Sequence, residues 1–170
     1  MKQRFWAITA LALALSMFFA TAAFAQGWGK TGTSWFYYLE DGTVARNTWI
    51  ETEGGPYWVN GDGAMATSQW VNDGSAWYYV GSDGRKLTSQ IMKLNGETFW
   101  LGEDGVMAAD EWKCTEDGKW YYLQSNGYAM RNGWKMVNGE YYYFLKSGIM
   151  AADALVPGGY RVGADGRWVQ

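Results

Sequence analysis

Apolar and polar positions along this chain alternate in short bursts, and each burst is closed by a glycine turn. Seven such glycines, Gly42, Gly63, Gly84, Gly105, Gly127, Gly148 and Gly166, stand at intervals of 21, 21, 21, 22, 21 and 18 residues. A second turn signal precedes each of them: Thr31-Gly32, Gly54-Gly55, Asp73-Gly74, Asn95-Gly96, Asp117-Gly118, Asn138-Gly139 and Gly158-Gly159. Short strands separated by such pairs predict β-hairpins, because Asn and Gly accept the positive φ that tight hairpin turns demand. No apolar pattern of period 3.6 persists between the turns, and 23 glycines in 170 residues weigh against helix. Self-similarity at this period predicts an all-β solenoid, a superhelix of about six to seven stacked hairpins. The units run 27–47, 48–68, 69–90, 91–111, 112–132 and 133–154, with a degenerate cap at 155–170.

Counting from the anchoring glycine sorts the aromatics. Six residues before it every unit is aromatic, from Phe36 to Tyr160, and this uniform position reads as the stacking core. The flanking positions then point to the opposite face, since strand side chains alternate. Seven residues before the glycine, odd units carry Trp35, Trp77 and Trp120, whereas even units carry Pro56, Thr98 and Tyr141. Two residues after it, even units carry Met65, Met107 and Met150, whereas odd units carry Val44, Lys86 and Ala129. The period is therefore a pair of hairpins, about 42 residues. A structural repeat has little reason to alternate its exposed aromatics; ligand pockets between unlike neighbours do.

The first 25 residues differ. Lys2 and Arg4 precede an apolar run, and Ala23-Phe24-Ala25 forms a small-x-small site, so 1–25 reads as a secretory signal peptide and 26–170 as a single repeat domain. The apolar run is short for a retained membrane span, and no other segment is a candidate. Losing Lys2 and Arg4 leaves 12 basic against 17 acidic residues, a net charge of −5, with no basic patch for nucleic acid or anionic lipid. Cys114 is alone and forms no internal disulfide; it reads as an idle thiol rather than a dimer bridge, and homodimerisation stays open.

Catalysis and metal binding find little support. There is no His, which removes His-based nucleophile pairs and His metal sites. Asp41, Asp62, Asp83, Asp104 and Asp165 sit in or beside turns, where one carboxylate per turn falls short of a calcium shell. The reading is a non-enzyme without cofactor or metal. Exposed Trp and Tyr faces can instead hold a cation, above all a quaternary ammonium, or stack on sugar rings. Either mode is weak singly and gains by repetition along a polymer.

The pattern of GW, turn, WYY, anchoring Gly and Met, repeated in register from Gly27 to about Ala154, resembles the choline-binding, or cell-wall-binding, repeats of bacterial surface proteins. More distantly it is similar to the glucan-binding repeats of glucosyltransferases and the carbohydrate-binding repeats of clostridial toxins. The resemblance implies choline groups of teichoic acid seated between consecutive hairpins, in cages of about three aromatics closed by a Met. Carried onto this chain, three cages are expected. The first joins Trp28, Trp35 and either Trp58 or its neighbour Tyr57, the second Trp70, Trp77 and Trp100, and the third Trp112, Trp120 and Tyr143. Met65, Met107 and Met150 are the lids. Sites led by even units are expected to be weak or absent, and Trp168 to be packing in the cap. The implied protein is secreted or cell-wall-associated, with a choline-decorated wall polymer as its partner. Alternatives are a neutral-glycan-binding module of the glucosyltransferase or toxin type, and a structural, adhesin-like surface protein.

Overall fold

The computed structural model describes residues 25–169, so the segment read as a signal peptide lies outside the described residues except for Ala25. Fifteen strands form seven antiparallel hairpins, numbered here 1 to 7. They are β1 (Gly27–Thr31) with β2 (Ser34–Tyr38), β3 (Thr48–Ile50) with β4 (Tyr57–Val59), β5 (Gln69–Asn72) with β6 (Trp77–Val80), and β7 (Gln90–Leu94) with β8 (Glu97–Leu101). Then come β9 (Glu111–Cys114) with β10 (Trp120–Leu123), and β11 (Gly133–Val137) with β12 (Glu140–Phe144). The last sheet has three strands, β13 (Ala154–Val156), β14 (Tyr160–Val162) and β15 (Trp168–Val169). The expected all-β hairpin solenoid is what forms, with no helix among the described residues.

Turn chemistry explains the spacing. The tips of hairpins 4 and 6 hold Asn95 (φ 53°) with Gly96 (φ 82°), and Asn138 (φ 51°) with Gly139 (φ 85°). Two consecutive positive φ values match the twist of the flanking strands, hence Asn-Gly. In the turns between hairpins the aspartates satisfy the backbone. The Oδ1 atoms of Asp41, Asp62, Asp83, Asp104 and Asp165 accept hydrogen bonds from the N–H two residues on, at 2.9 to 3.1 Å.

Successive hairpins are tied by one repeated contact. The residue two after the anchoring glycine donates its N–H to the carbonyl seven before the previous one. These are Met65 to Trp35, Lys86 to Pro56, Met107 to Trp77, Ala129 to Thr98 and Met150 to Trp120, at 2.8 to 3.0 Å. The same side chain lies over the next unit's glycine: an added Cβ on Gly84 would meet Met65 Cε at 2.8 Å, and one on Gly105 would meet Lys86 Cδ at 3.0 Å. All seven anchors share a φ of 80–88°, and at Gly63, Gly84, Gly105, Gly127 and Gly166 a Cβ would also collide at 3.0 Å or less, which is why glycine recurs there.

The core corrects one expectation. The most deeply buried column is four residues before the glycine: Val59, Val80, Leu101, Leu123, Phe144 and Val162. Of the aromatics six residues before, only Phe99 is buried; the rest are half-buried or, for Tyr160, exposed. Each junction has a depth gradient. Face one of a hairpin carries the opening Trp and the residues seven and five before the glycine; face two of the next carries those six and four before. The five-and-four pair meets at the bottom, with Trp58 packing in one cluster with Val80 and Tyr143 with Val162. The seven-and-six pair is left at the rim. This apolar column of varied residues, aliphatic except for Phe144, is masked in the sequence by the uniform aromatics beside it.

Candidate functional site

Two recesses open at the rims of odd-led junctions. Between hairpins 1 and 2 a recess of about 410 Å³ is lined by Trp28, Trp35, Thr52, Tyr57, Met65 and Asp83. Between hairpins 5 and 6 a recess of about 750 Å³ is lined by Trp112, Trp120, Tyr142, Met150, Lys119 and Asp165 among others. Three hairpins build each one. The first supplies two Trp, the second a Tyr and a Met, and the third a turn carboxylate. The ring contacts are edge-on: Trp28 to Tyr57 at 5.5 Å between centroids, Trp112 to Tyr142 at 4.9 Å and Trp112 to Trp120 at 6.2 Å. Such an angle leaves faces turned toward the recess, where the π-cloud is negative. The outer Trps, Trp35, Trp77 and Trp120, are 41 %, 47 % and 44 % exposed.

The third hairpin also braces the tyrosine. Arg85 Nε donates to the Tyr57 hydroxyl at 3.1 Å, and that bond raises the Arg85 pKa further. Arg167 pairs in the backbone with Tyr142, whose hydroxyl likewise raises the guanidinium's pKa. Asp83 and Asp165 pair with Arg85 and Arg167 at 3.6 and 3.5 Å, so the rigid ring faces rather than net charge suit each recess to a poorly hydrated cation.

The third expected cage is built differently. Trp70 meets Phe99 at 4.8 Å, and Met107 hangs on Trp77 as in the other junctions. Phe99, however, is buried and covered edge-on by Tyr128 at 5.1 Å, which stands where Arg85 and Arg167 stand elsewhere. Asn126 replaces the turn carboxylate.

Of the expected third walls, the alternative Tyr57 lines the first recess, while Trp58, Trp100 and Tyr143 need correction. Trp58 and Tyr143 are 8 % and 9 % exposed and belong to the bottom of the following junction, where Trp58 meets Trp49 at 5.2 Å and Tyr143 meets Trp134 at 5.3 Å. Trp100 packs against the buried Ala108, Leu123 and Ala129 in the same way. Adjacent strand residues face opposite ways. Taking the uniform aromatic as core therefore reversed the facing of both. The residues at the rim are Tyr57, Phe99 and Tyr142; their uniformity was the signal, misread as core.

Even-led junctions depart from this arrangement in three distinct ways. Between hairpins 2 and 3 the wall pair is present, Trp49 to Tyr78 at 5.2 Å, but Lys86 replaces the Met. Its Nζ lies 5.1 Å from the Trp49 ring and 5.2 Å from the Tyr78 ring. Asp73 Oδ2 accepts from Trp49 Nε1 at 3.1 Å, and Ser75, with Ala76 and Trp49, holds that carboxyl well below the ordinary carboxylate range. Between hairpins 4 and 5 the opening residue is Ile91 and no Trp or Met follows at the rim. Between hairpins 6 and 7 four rings gather: Trp134 to Tyr160 at 5.9 Å, Tyr160 to Trp168 at 6.2 Å and Tyr141 to Trp168 at 6.4 Å. Trp168 stands two residues after Gly166, the Met position, so it is part of a rim rather than only of a cap.

Among the described residues no three His, Cys, Asp or Glu side chains gather as metal ligands. No curated protein matches the chain significantly. Among solved structures the chain is similar to CbpJ from Streptococcus pneumoniae TIGR4, with 32 % identity over 85 % of this chain and 48 % of that one, and a TM-score of 0.67. It is similar to choline binding protein F from Streptococcus pneumoniae, with 31 % identity, coverage of 86 % and 48 %, and a TM-score of 0.66. The choline-binding domain of CbpL from the same organism gives 29 % identity, 86 % and 98 % coverage, and a TM-score of 0.54. The chain spans about half the length of CbpJ and of choline binding protein F. The choline-binding repeat model matches residues 43–85 and 128–168, and the cell wall binding repeat model matches 110–129. With these matches falling on hairpins 2, 3, 5, 6 and 7, the chain belongs to the choline-binding, or cell-wall-binding, repeat family.

Proposed function

We propose that this is a secreted, non-catalytic module that holds quaternary ammonium groups, choline above all, displayed on a bacterial envelope polymer. The observation that carries the reading is the junction between hairpins 2 and 3. There the chain's own ammonium, Lys86 Nζ, lies against the same Trp–Tyr wall that lines the two open recesses. The wall accepts a cation where one is supplied; at hairpins 1–2 Lys30 Nζ lies 5.7 Å from the outer Trp35 ring, while the Trp28–Tyr57 wall there, like the Trp112–Tyr142 wall at hairpins 5–6, is left for a cation from outside. Trp28, Trp35, Tyr57 and Met65 form the first site, and Trp112, Trp120, Tyr142 and Met150 the second. Trp70, Trp77, Phe99 and Met107 form a third, weaker one. Trp134, Tyr141, Tyr160 and Trp168 add a terminal group of rings with no internal cation on them among the described residues. Each aromatic face contributes on the order of 1–2 kcal/mol to a desolvated cation. Single sites are therefore weak, and retention on a decorated polymer comes from several engaged at once. Choline binding protein F, similar over most of this chain, forms a complex with ipratropium, a compound whose nitrogen is quaternary.

Calorimetry of the 26–170 chain with choline tests the reading, with Trp fluorescence as a second signal. Saturable binding accompanied by a fluorescence change supports it. Silence toward choline together with retention on a glucan column would transfer the sites to neutral glycan, and silence toward both would leave the rings as structure.

A further inference from the structure

The junction between hairpins 4 and 5 keeps Tyr121 but has lost both rim Trps, and what replaces them is chemically opposite. In the two open recesses three positions matter beyond the opening Trp: the outer Trp, the Met, and the turn Asp from the third hairpin. At hairpins 4–5 the same three positions hold Thr98, Ala129 and Ser147, and they line a cavity of about 140 Å³ together with Lys93, Arg131 and Lys146. The backbone is unchanged, since Ala129 N–H still bonds to the Thr98 carbonyl at 2.8 Å. Two rings, a thioether and a carboxylate have given way to two hydroxyls, a methyl and three cationic side chains.

We infer that this cavity is an anion site, shaped for the phosphate of a phosphomonoester or phosphodiester. Lys93 stands opposite Thr98 across the β7–β8 ladder, and Arg131 follows Ala129 by two residues, so each hairpin contributes one hydroxyl or methyl and one cation to the same mouth. Glu97 pairs with Arg131, while among the described residues no carboxylate lies within ion-pair distance of Lys93 or Lys146. Ser147 Oγ accepts from Ile149 N–H at 3.4 Å, leaving its own proton to donate into the cavity. Two ammoniums and two hydroxyl donors around a small pocket suit a tetrahedral anion, because hydrogen bonds between ionised partners are shorter and stronger than neutral ones. The same set repels a quaternary ammonium. The cluster is not a by-product of a basic surface, since the chain is acidic overall, with net charge −3.

The site also has a neighbour. One turn of hairpin 6 presents Lys146, Ser147 and Gly148 to this cavity, and Leu145, Ile149 and Met150 to the cation recess. A polymer carrying phosphate in its backbone and cations on its branches would meet both sides of that turn. This pairing rests on the proposed cation reading; the anion site itself does not.

The test is a titration of the ¹⁵N-labelled 26–170 chain, at constant ionic strength, first with inorganic phosphate and then with a choline-free glycerol phosphodiester. The expected result is a saturable shift confined to the amides of Thr98, Ala129, Arg131, Ser147 and Gly148. Binding in the Lys93→Ala/Lys146→Ala double variant should be weaker by roughly tenfold or more, given the strength of charge-assisted bonds. Both lysines are exposed, so the variant is expected to keep its fold and its choline-dependent fluorescence. Diester binding as tight as phosphate points to polymer backbone; phosphate binding alone points to a free or terminal phosphate. Shifts that never saturate, that spread equally to Lys30 and Lys113, or that persist unchanged in the variant overturn the inference. A chain that binds phosphate but not choline overturns only the cation reading.

Discussion

The junction between hairpins 1 and 2 and the one between hairpins 2 and 3 share a backbone and a wall. Trp28 meets Tyr57 at 5.5 Å in the first, and Trp49 meets Tyr78 at 5.2 Å in the second. The difference lies in two positions. Where the first has Trp35 and Met65, the second has Pro56 and Lys86, and the lysine's ammonium occupies the face that the first leaves to solvent. The solenoid thus makes the same slot at every junction, and the residues seven before and two after the glycine decide its use. Fold and function separate cleanly along this strand: the four-before column and the glycine hold the stack, while the rim positions vary without disturbing it.

The largest expected effect comes from turning an open junction into a filled one. Met150→Lys places an ammonium in the hairpin 5–6 recess, and its stem fits over the Gly166 turn as the Lys86 stem does over Gly105. Choline binding there should fall by roughly tenfold to a hundredfold, the loss of one or two ring faces. Titration calorimetry would show the stoichiometry drop by one strong site with the melting temperature nearly unchanged. An unchanged isotherm would mean that Met150 does not border the ligand.

Next is the contrast between adjacent tyrosines. Tyr143→Ala empties a packed cluster with Val156 and Val162 and should cost about 3 kcal/mol of stability. Tyr142→Ala, at the half-buried rim, should cost far less stability and weaken choline binding by about tenfold. Thermal melts beside fluorescence titrations separate the two. The reverse assignment would restore the facing inferred from sequence alone.

Lys86→Met should expose the Trp49–Tyr78 wall and add one weak site, strengthened when Pro56→Trp is combined with it. Mass spectrometry of the choline-saturated chain counts the sites. A chain whose stoichiometry is the same with and without Lys86 would show that the lysine fills nothing.

The smallest effect is expected at Asp73. Its carboxylate accepts from Ser75, Ala76 and the Trp49 indole, and its pKa is lowered below the unfolded value by these bonds. A lowered pKa means that the contribution is present above the unfolded value, about 3.9, and is lost as pH falls through the folded one. The wild-type chain should therefore lose this contribution only below about pH 4, and Asp73→Asn should flatten that part of its acid-unfolding curve.

Much of this was legible in the sequence. The Asn95-Gly96 and Asn138-Gly139 pairs foretold hairpins because few residues accept two positive φ values in a row. The 42-residue alternation was visible because Trp35, Trp77 and Trp120 and the three Met positions are chemically loud. What remained hidden was facing. Tyr142 and Tyr143 are both aromatic and neighbours, and only the stacking direction tells which side of hairpin 6 turns toward hairpin 5. Lys86 was readable as a Met replacement, yet a lone lysine carries no hint that its ammonium returns to its own chain's rings. The anion cavity was less visible still, since Lys93, Arg131 and Lys146 come from three different hairpins.

The central claim is that the open recesses recognise positive charge on an apolar head group, not apolar bulk alone. Titrating the 26–170 chain with choline and with 3,3-dimethylbutan-1-ol, its neutral carbon isostere, tests this most directly. The account predicts saturable choline binding and an isostere weaker by roughly tenfold or more, because cation–π attraction vanishes with the charge. Equal affinity for the two would contradict it and reduce the recesses to hydrophobic slots.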